Sequence, residues 1–350
     1  MSPNQYNRLI DIVSNFPNLK IGVIGDFFLD KYFVIDPALA EVSLETGKPA
    51  HQIIKIYHSP GAAGTVTNNL RALEIGKIFA IGAIGDDGEG YELLQDLHQQ
   101  HIDTAYLIQS KKMFTPTYTK PLQIEGDRQI EQSRLDIKNR KRLLPQIENQ
   151  ILMNIEKMLP ELDGLIIADQ VEEPNFGIVT DNVRDALTDA GSRFPQKVLF
   201  ADSRARIGLF KNMYIKPNKF EAYRAMYGKI KSGDIPIEEA REYGSELAKR
   251  GNHAVVVTLE KDGALLCESS RATHIPGIQV RGEIDSVGAG DSFAAGFTAA
   301  RCAGSSDEEA AIMGVVVSSI TIQKLGTTGT ATPEEVRRRL SELRGNDGQI

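Results

Sequence analysis

Cysteine is too scarce here for either a disulfide framework or a zinc site, since Cys267 and Cys302 stand alone with no second pair. Both read as small buried apolar residues. No apolar run approaches the ~18 residues of a membrane span. The opening segment, MSPNQYNRLIDIVSNF, lacks the basic region and apolar core of a secretory leader. The expectation is a cytoplasmic protein with no membrane partner. Positive charge is also short, with 40 Lys and Arg against 47 Asp and Glu giving a net charge of -7 and a pI of about 5.5. Without a long basic stretch to release counterions from a phosphate backbone, nucleic acid is not an expected partner. A small anion is still admissible, because a few cations and clustered backbone amides hold phosphate on an acidic protein. Internal repeats and low-complexity segments are missing, and only the last residues, RGNDGQI, read as a frayed tail.

What is present is the composition of an ordinary packed globular protein, one that can afford an enzyme's core: 350 residues, 41% hydrophobic and 25% charged. Short apolar, β-branched runs recur at 21–25, 77–85, 164–169, 197–202 and 253–259, most of them ending in Gly or Asp. Helical patterns lie between them, at 66–73, 91–98, 143–159, 175–190 and 237–249. The alternation predicts an α/β fold, a doubly wound and mostly parallel sheet flanked by helices. Ligands of such sheets gather at the carboxyl ends of the strands, which is where Asp26, Asp30, Asp169, Asp202 and Thr258 fall. Two stretches, 31–57 and 115–136, instead carry β-branched and aromatic residues in period two. They predict a small sheet inserted into one domain spanning 1–350.

The chemistry concentrates in Asp285-Ser-Val-Gly-Ala-Gly-Asp-Ser-Phe293, followed by the small-residue run AAGFTAARCAG. Glycines just before a helix let N–H groups point outward at the positive end of its dipole, so Gly288, Ala289 and Gly290 form a candidate anion hole. Asp291, one residue on, is placed to take a hydroxyl proton as phosphoryl charge develops over those donors. The bland alternative is a helix start with a tight turn and Asp291 as its cap. A dinucleotide fingerprint fails, because its third glycine would fall on Phe293; no GxxxxGK[ST] loop occurs either.

This segment resembles the second signature of the ribokinase-like (PfkB) carbohydrate kinases, DTVGAGDxF, with Ser286 replacing Thr. The resemblance implies that Asp291 is the catalytic base, that Gly288, Ala289 and Gly290 supply the anion hole, and that Asp285 contributes to a monovalent cation site, with K⁺ as the ion. Asn218-Lys-Phe-Glu221 resembles the family's NxxE motif, which implies that Glu221 orders Mg²⁺ through water; it reads equally as a helix capping box. Thr258-Leu-Glu-Lys-Asp-Gly263 resembles the nucleotide loop for ATP, with Glu260 where many members have glycine. Gly25-Asp26-Phe-Phe-Leu-Asp30 resembles the first strand and turn, whose last carboxylate, Asp30, accepts from sugar hydroxyls. Asp169, Gly61 and Asn69 complete the implied substrate set.

The nearest branch by resemblance is the heptose 7-phosphate kinases, through T-P-T-x-T-K at 115, R-L-D at 134–136, S-x-E at 43–45 and the segment from Leu325 to Glu335. The sugar signature departs from the family: in Pro60-Gly-Ala-Ala-Gly-Thr-Val-Thr-Asn-Asn69, Ala62 replaces the second glycine and Thr65 stands where an Asn aligns. Asn68 or Asn69 could substitute only by a shift of about one helical turn. No nucleotidyltransferase pattern follows, so a fused heptose-activating activity is not expected. The expected function is transfer of the γ-phosphoryl of ATP to a sugar or sugar phosphate. A sugar sensor on the same fold and a nucleoside kinase are the alternatives. The two period-two segments expose a sheet face that invites pairing, so a homodimer through the lid is expected.

Overall fold

The computed structural model describes residues 2–326 and 328–345; Thr327 of the 325–335 segment and residues 346–350 of the tail lie outside the described residues. A nine-stranded sheet runs in the order Ala272–Ile275, Ala264–Cys267, Val255–Thr258, Tyr214–Ile215, Val198–Ser203, Gly164–Asp169, Lys20–Gly25, Lys77–Gly85 and Asp103–Ser110. The first two pairings are antiparallel and the rest parallel. Helices cover both faces, which is why the strands read as continuous apolar runs: Ile166 enters the core on one face, Leu165 and Ile167 the core on the other.

Chain order reverses between Lys20–Gly25 and Gly164–Asp169, and a reversal opens a crevice at the carboxyl ends of the two strands. Asp26 and Asp169 sit at that switch point. A second sheet orders Pro49–Ala62, Phe27–Val42, Thr117–Glu125 and Arg128–Glu131, with Leu135–Ile137 also on the third of these. Two side-chain contacts fasten it to the helix Gly88–Gln99: an ion pair from Lys31 to Glu92 at 2.7 Å and a hydrogen bond between His58 Nδ1 and Asp96 at 2.7 Å.

The expected helix at 175–190 begins six residues later, at Asp181, with Thr180 Oγ1 accepting the Val183 N–H. Asn175 takes a left-handed φ of 65°, and the stretch 170–179 forms neither helix nor strand. Four strands escaped the sequence pattern: Asp103–Ser110, Tyr214–Ile215, Ala264–Cys267 and Ala272–Ile275. Three of them have two to four residues, too few to show a period. Both cysteines are free; Cys267 is buried and Cys302 half-buried. Among the described residues no helix is long and apolar enough to cross a membrane.

Candidate active site

Two cavities open at the carboxyl ends of the sheet and share Gln170 and Arg204 as a common wall. The larger, about 570 Å³, is lined by Asn218, Glu221, Thr258 and Gly263 on one side and by Gly288, Ala289, Gly290 and Asp291 on the other. The smaller, about 220 Å³, has Asp26, Phe28 and Tyr118 on one wall and the 170–178 loop on the other.

Gly288, at φ 77°, caps the helix Ala289–Cys302 in the left-handed conformation that glycine adopts without strain. A Cβ there would also meet Thr328 at 2.3 Å. Ala289 differs from expectation: its N–H is engaged by Ser286 O at 3.1 Å, closing the turn. It shapes the loop but does not offer an outward donor, which leaves Gly288 and Gly290 as the glycine amides of the cavity wall.

Asp291 is half-buried in the first turn of that helix. Burial, with Asp202 and Asp30 adding negative charge, pushes its carboxyl up to about 7 against the pull of Lys216 and Arg204. That is the range of a base that works near neutral pH. Lys216 is 4% exposed and pairs with Asp202 at 3.0 Å. Burial works against its charge, but Asp202, Glu221 and Asp291 around it hold the ammonium on. A Cβ at Gly290 would lie 3.2 Å from Lys216 Nζ, so this cation stands beside the 288–290 turn.

Asn218 Oδ1 accepts from the Glu221 N–H at 2.8 Å while Glu221 Oε2 accepts from the Asn218 N–H at 2.8 Å, a complete capping box. The two residues that cap the helix, Asn218 and Glu221, thus also line the larger cavity. Burial raises the Glu221 carboxyl, and Asp202 adds to the effect. Among the described residues no group of three His, Cys, Asp or Glu side chains converges on a metal position. The donor set, Glu221 with Asp202 close by, fits a divalent ion that keeps its waters and arrives with phosphate oxygens.

The family model for a pfkB family carbohydrate kinase matches residues 31–335. This chain belongs to the pfkB family of carbohydrate kinases. Bifunctional protein HldE of Trichlorobacter lovleyi is 28% identical over 335 residues, covering 95% of this chain and 65% of the relative. HldE of Helicobacter pylori strain G27 is 25% identical over 324 residues, covering 92% and 66%. The chain therefore spans about two thirds of the length of these curated relatives. Two solved structures share the fold. Phosphofructokinase-2 of Escherichia coli in complex with potassium has a TM-score of 0.70 and 19% identity, covering 93% of this chain and 99% of that one. Arabidopsis thaliana ribokinase complexed with ribose and ATP has a TM-score of 0.67 and 18% identity, covering 92% and 98%.

Within this pfkB-family kinase, Asp30 and Gly61 meet across neighbouring strands of the small sheet: a Cβ on Gly61 would strike Asp30 Oδ2 at 2.7 Å. Lys120 lies 3.3 Å from Asp30 and 3.2 Å from the Tyr32 hydroxyl. None of the four expected substrate residues, Asp30, Gly61, Asp169 and Asn69, lines either cavity. Asp169 is fully buried, with one oxygen bound by Arg206 at 2.6 Å and the other by Ser203 Oγ at 2.6 Å. Asn69 is fully buried, its Nδ2 donating to Thr65 O at 2.9 Å.

Thr65, not Asn69, points toward the 288–290 turn, its methyl 3.5 Å from where a Gly288 Cβ would be. Asp285 Oδ1 accepts the Val287 N–H at 3.0 Å, so this carboxylate braces the loop just before the glycines. Ala62 and Glu260, the two places where glycine is replaced, both take positive φ, 54° and 57°. Lys216 and Arg204 escaped the sequence reading. The signal for Lys216 was a lysine closing the apolar run MYIKPN directly before the Asn218 motif.

Proposed function

We propose that this kinase transfers the γ-phosphoryl of ATP to a hydroxyl of a sugar or sugar phosphate of the heptose 7-phosphate type, with Asp291 as the base. The observation that carries this reading is the position of Asp291, its carboxyl at about 7, on the wall of the larger cavity at a glycine-capped helix start. In it, ATP occupies the 570 Å³ cavity with Thr258 and Gly263 at the nucleotide and its phosphates run toward Gly288 and Gly290. The acceptor occupies the smaller cavity, against Phe28 and Tyr118 of the small sheet that also carries Asp30 and Gly61. Asp291 removes the hydroxyl proton while the turn and Lys216 meet the charge spreading over the transferred group. Glu221 would hold Mg²⁺ through water, and Asp285 with the loop carbonyls would hold K⁺ and keep the turn in shape.

The small sheet acts as a lid inserted into one kinase unit spanning the chain. Its tip and outer face expose Leu39, Val42, Leu44, Ile54, Ile56 and Leu135. A second copy that covers this face would make a homodimer in which the lids exclude water from the transfer site. The activity is tested by incubating purified protein with Mg-ATP and a panel of sugars and sugar phosphates while reading ADP release. Turnover with an acceptor above the ATPase background is expected, and no acceptor-dependent ADP across the panel overturns the reading. Light scattering at micromolar protein with both substrates tests the dimer, and a monomer mass rules it out.

A further inference from the structure

The loop 170–178 carries no helix or strand, yet it forms one wall of the smaller cavity. Its backbone is bound at both ends by a single carboxylate. Asp26 Oδ2 accepts the N–H groups of Gln170 at 2.8 Å and Val171 at 3.0 Å, and Oδ1 accepts that of Ile178 at 2.8 Å. Gly177 closes over the same group, where a Cβ would come within 2.6 Å of Oδ1.

The carbonyl side is held by Arg206. Its Nη2 donates to Val171 O at 2.5 Å and its Nη1 to Glu172 O at 2.8 Å. The guanidinium is aimed by Asp169, which is itself fixed by Ser203. Three buried or nearly buried charged side chains are therefore committed to a segment of irregular backbone. A core does not need this arrangement, because burying such charges is costly and apolar residues would fill the space at least as well.

We infer that Asp26 and Arg206 are positioning residues for the acceptor: together they clasp the 170–178 loop in the one conformation that shapes the acceptor cavity. The inference rests on the reading of that cavity as the acceptor site. Neither residue is required to touch ATP, because neither lines the larger cavity. Losing hydrogen bonds to a charged group is worth about 10- to 100-fold in an equilibrium, and the loss falls on acceptor binding.

The test measures steady-state kinetics of the full chain for Asp26→Asn, Arg206→Gln and Arg206→Lys, alongside hydrogen exchange of the loop. The expected result is an acceptor KM raised about 10- to 100-fold, exceeding the fall in kcat, with the ATP KM within twofold of wild type. Arg206→Lys keeps the charge opposite Asp169 but cannot reach both carbonyls, so it is expected to behave as Arg206→Gln does. An acceptor KM unchanged in all variants overturns the inference. So does a KM restored by Arg206→Lys, which would reduce the role to charge balance. Equal losses for both substrates with a lowered melting temperature would show a structural role alone. If wild-type protein phosphorylates no acceptor, the cavity reading fails separately. Faster exchange confined to 170–178 would then still support the clasp, and unchanged exchange there would remove it.

Discussion

Replacing Asp291 with Asn separates catalysis from stability in a way that depends on pH. The ordinary carboxylate value of 3.8 is raised to about 7 by burial and by Asp202. At about 1.4 kcal/mol per pH unit, that distance corresponds to roughly 4 kcal/mol, a ceiling on the cost of the ionised form. A carboxyl with a folded pKa above its unfolded one takes up a proton on folding, so the native state loses stability as pH rises from about 4 to about 7. The cost is absent below pH 4 and complete above pH 7. Asn cannot ionise and removes it. The variant is therefore expected to melt a few degrees above wild type at pH 8 and at the wild-type temperature at pH 4. Turnover is expected to fall by roughly 10² to 10⁴, the usual loss for a general base. In wild type, kcat/KM is expected to rise with pH through about 7. Calorimetric melts at the two pH values and ADP release at pH 8 provide the assay. Full activity in the variant would refute the base assignment, and a stability difference independent of pH would refute the electrostatic argument.

Other perturbations follow from single positions. Ala62 holds φ 54° and ψ −117°, a region strained for any residue with a Cβ; Ala62→Gly should raise stability by about 1 kcal/mol net of the chain entropy glycine adds, read as a higher urea midpoint, and a lower midpoint would contradict it. Lys216→Met removes the cation among three carboxylates, so turnover should drop by roughly 10² to 10³ and the pH profile move to higher pH as Asp291 loses its counterion; an unmoved profile would show that the lysine does not act on Asp291. Activity should be higher in potassium chloride than in sodium or choline chloride at equal ionic strength, and equal rates would eliminate the cation site at Asp285.

The alternation of apolar runs with helical periods was legible because each strand, covered on both faces, must be apolar throughout, as at Gly164–Asp169. Short strands such as Tyr214–Ile215 were not, since two residues carry no period. The GAGD turn and the Asn218 box were legible for a similar reason: a tight turn before a helix and a cap over its first amides are made by residues adjacent in the chain. Positive φ at Ala62 and Glu260 explains why glycine suits those places, a backbone fact only the folded chain displays.

Local sequence by itself thus determined the fold class and the two cavity-wall features proposed for catalysis, the glycine turn at 288–290 and Asp291 one residue on, because those features depend on neighbours within a few positions. The tertiary structure decided the direction in which the remaining polar groups point. It buries Asp169 behind Arg206, turns Asn69 away from the cavity, and brings Lys216 and Arg204 to Asp291 from strands dozens of residues away. Whether a carboxylate faces substrate or holds a loop is set by the strands it packs between, and that pairing is a long-range property no window of the sequence contains.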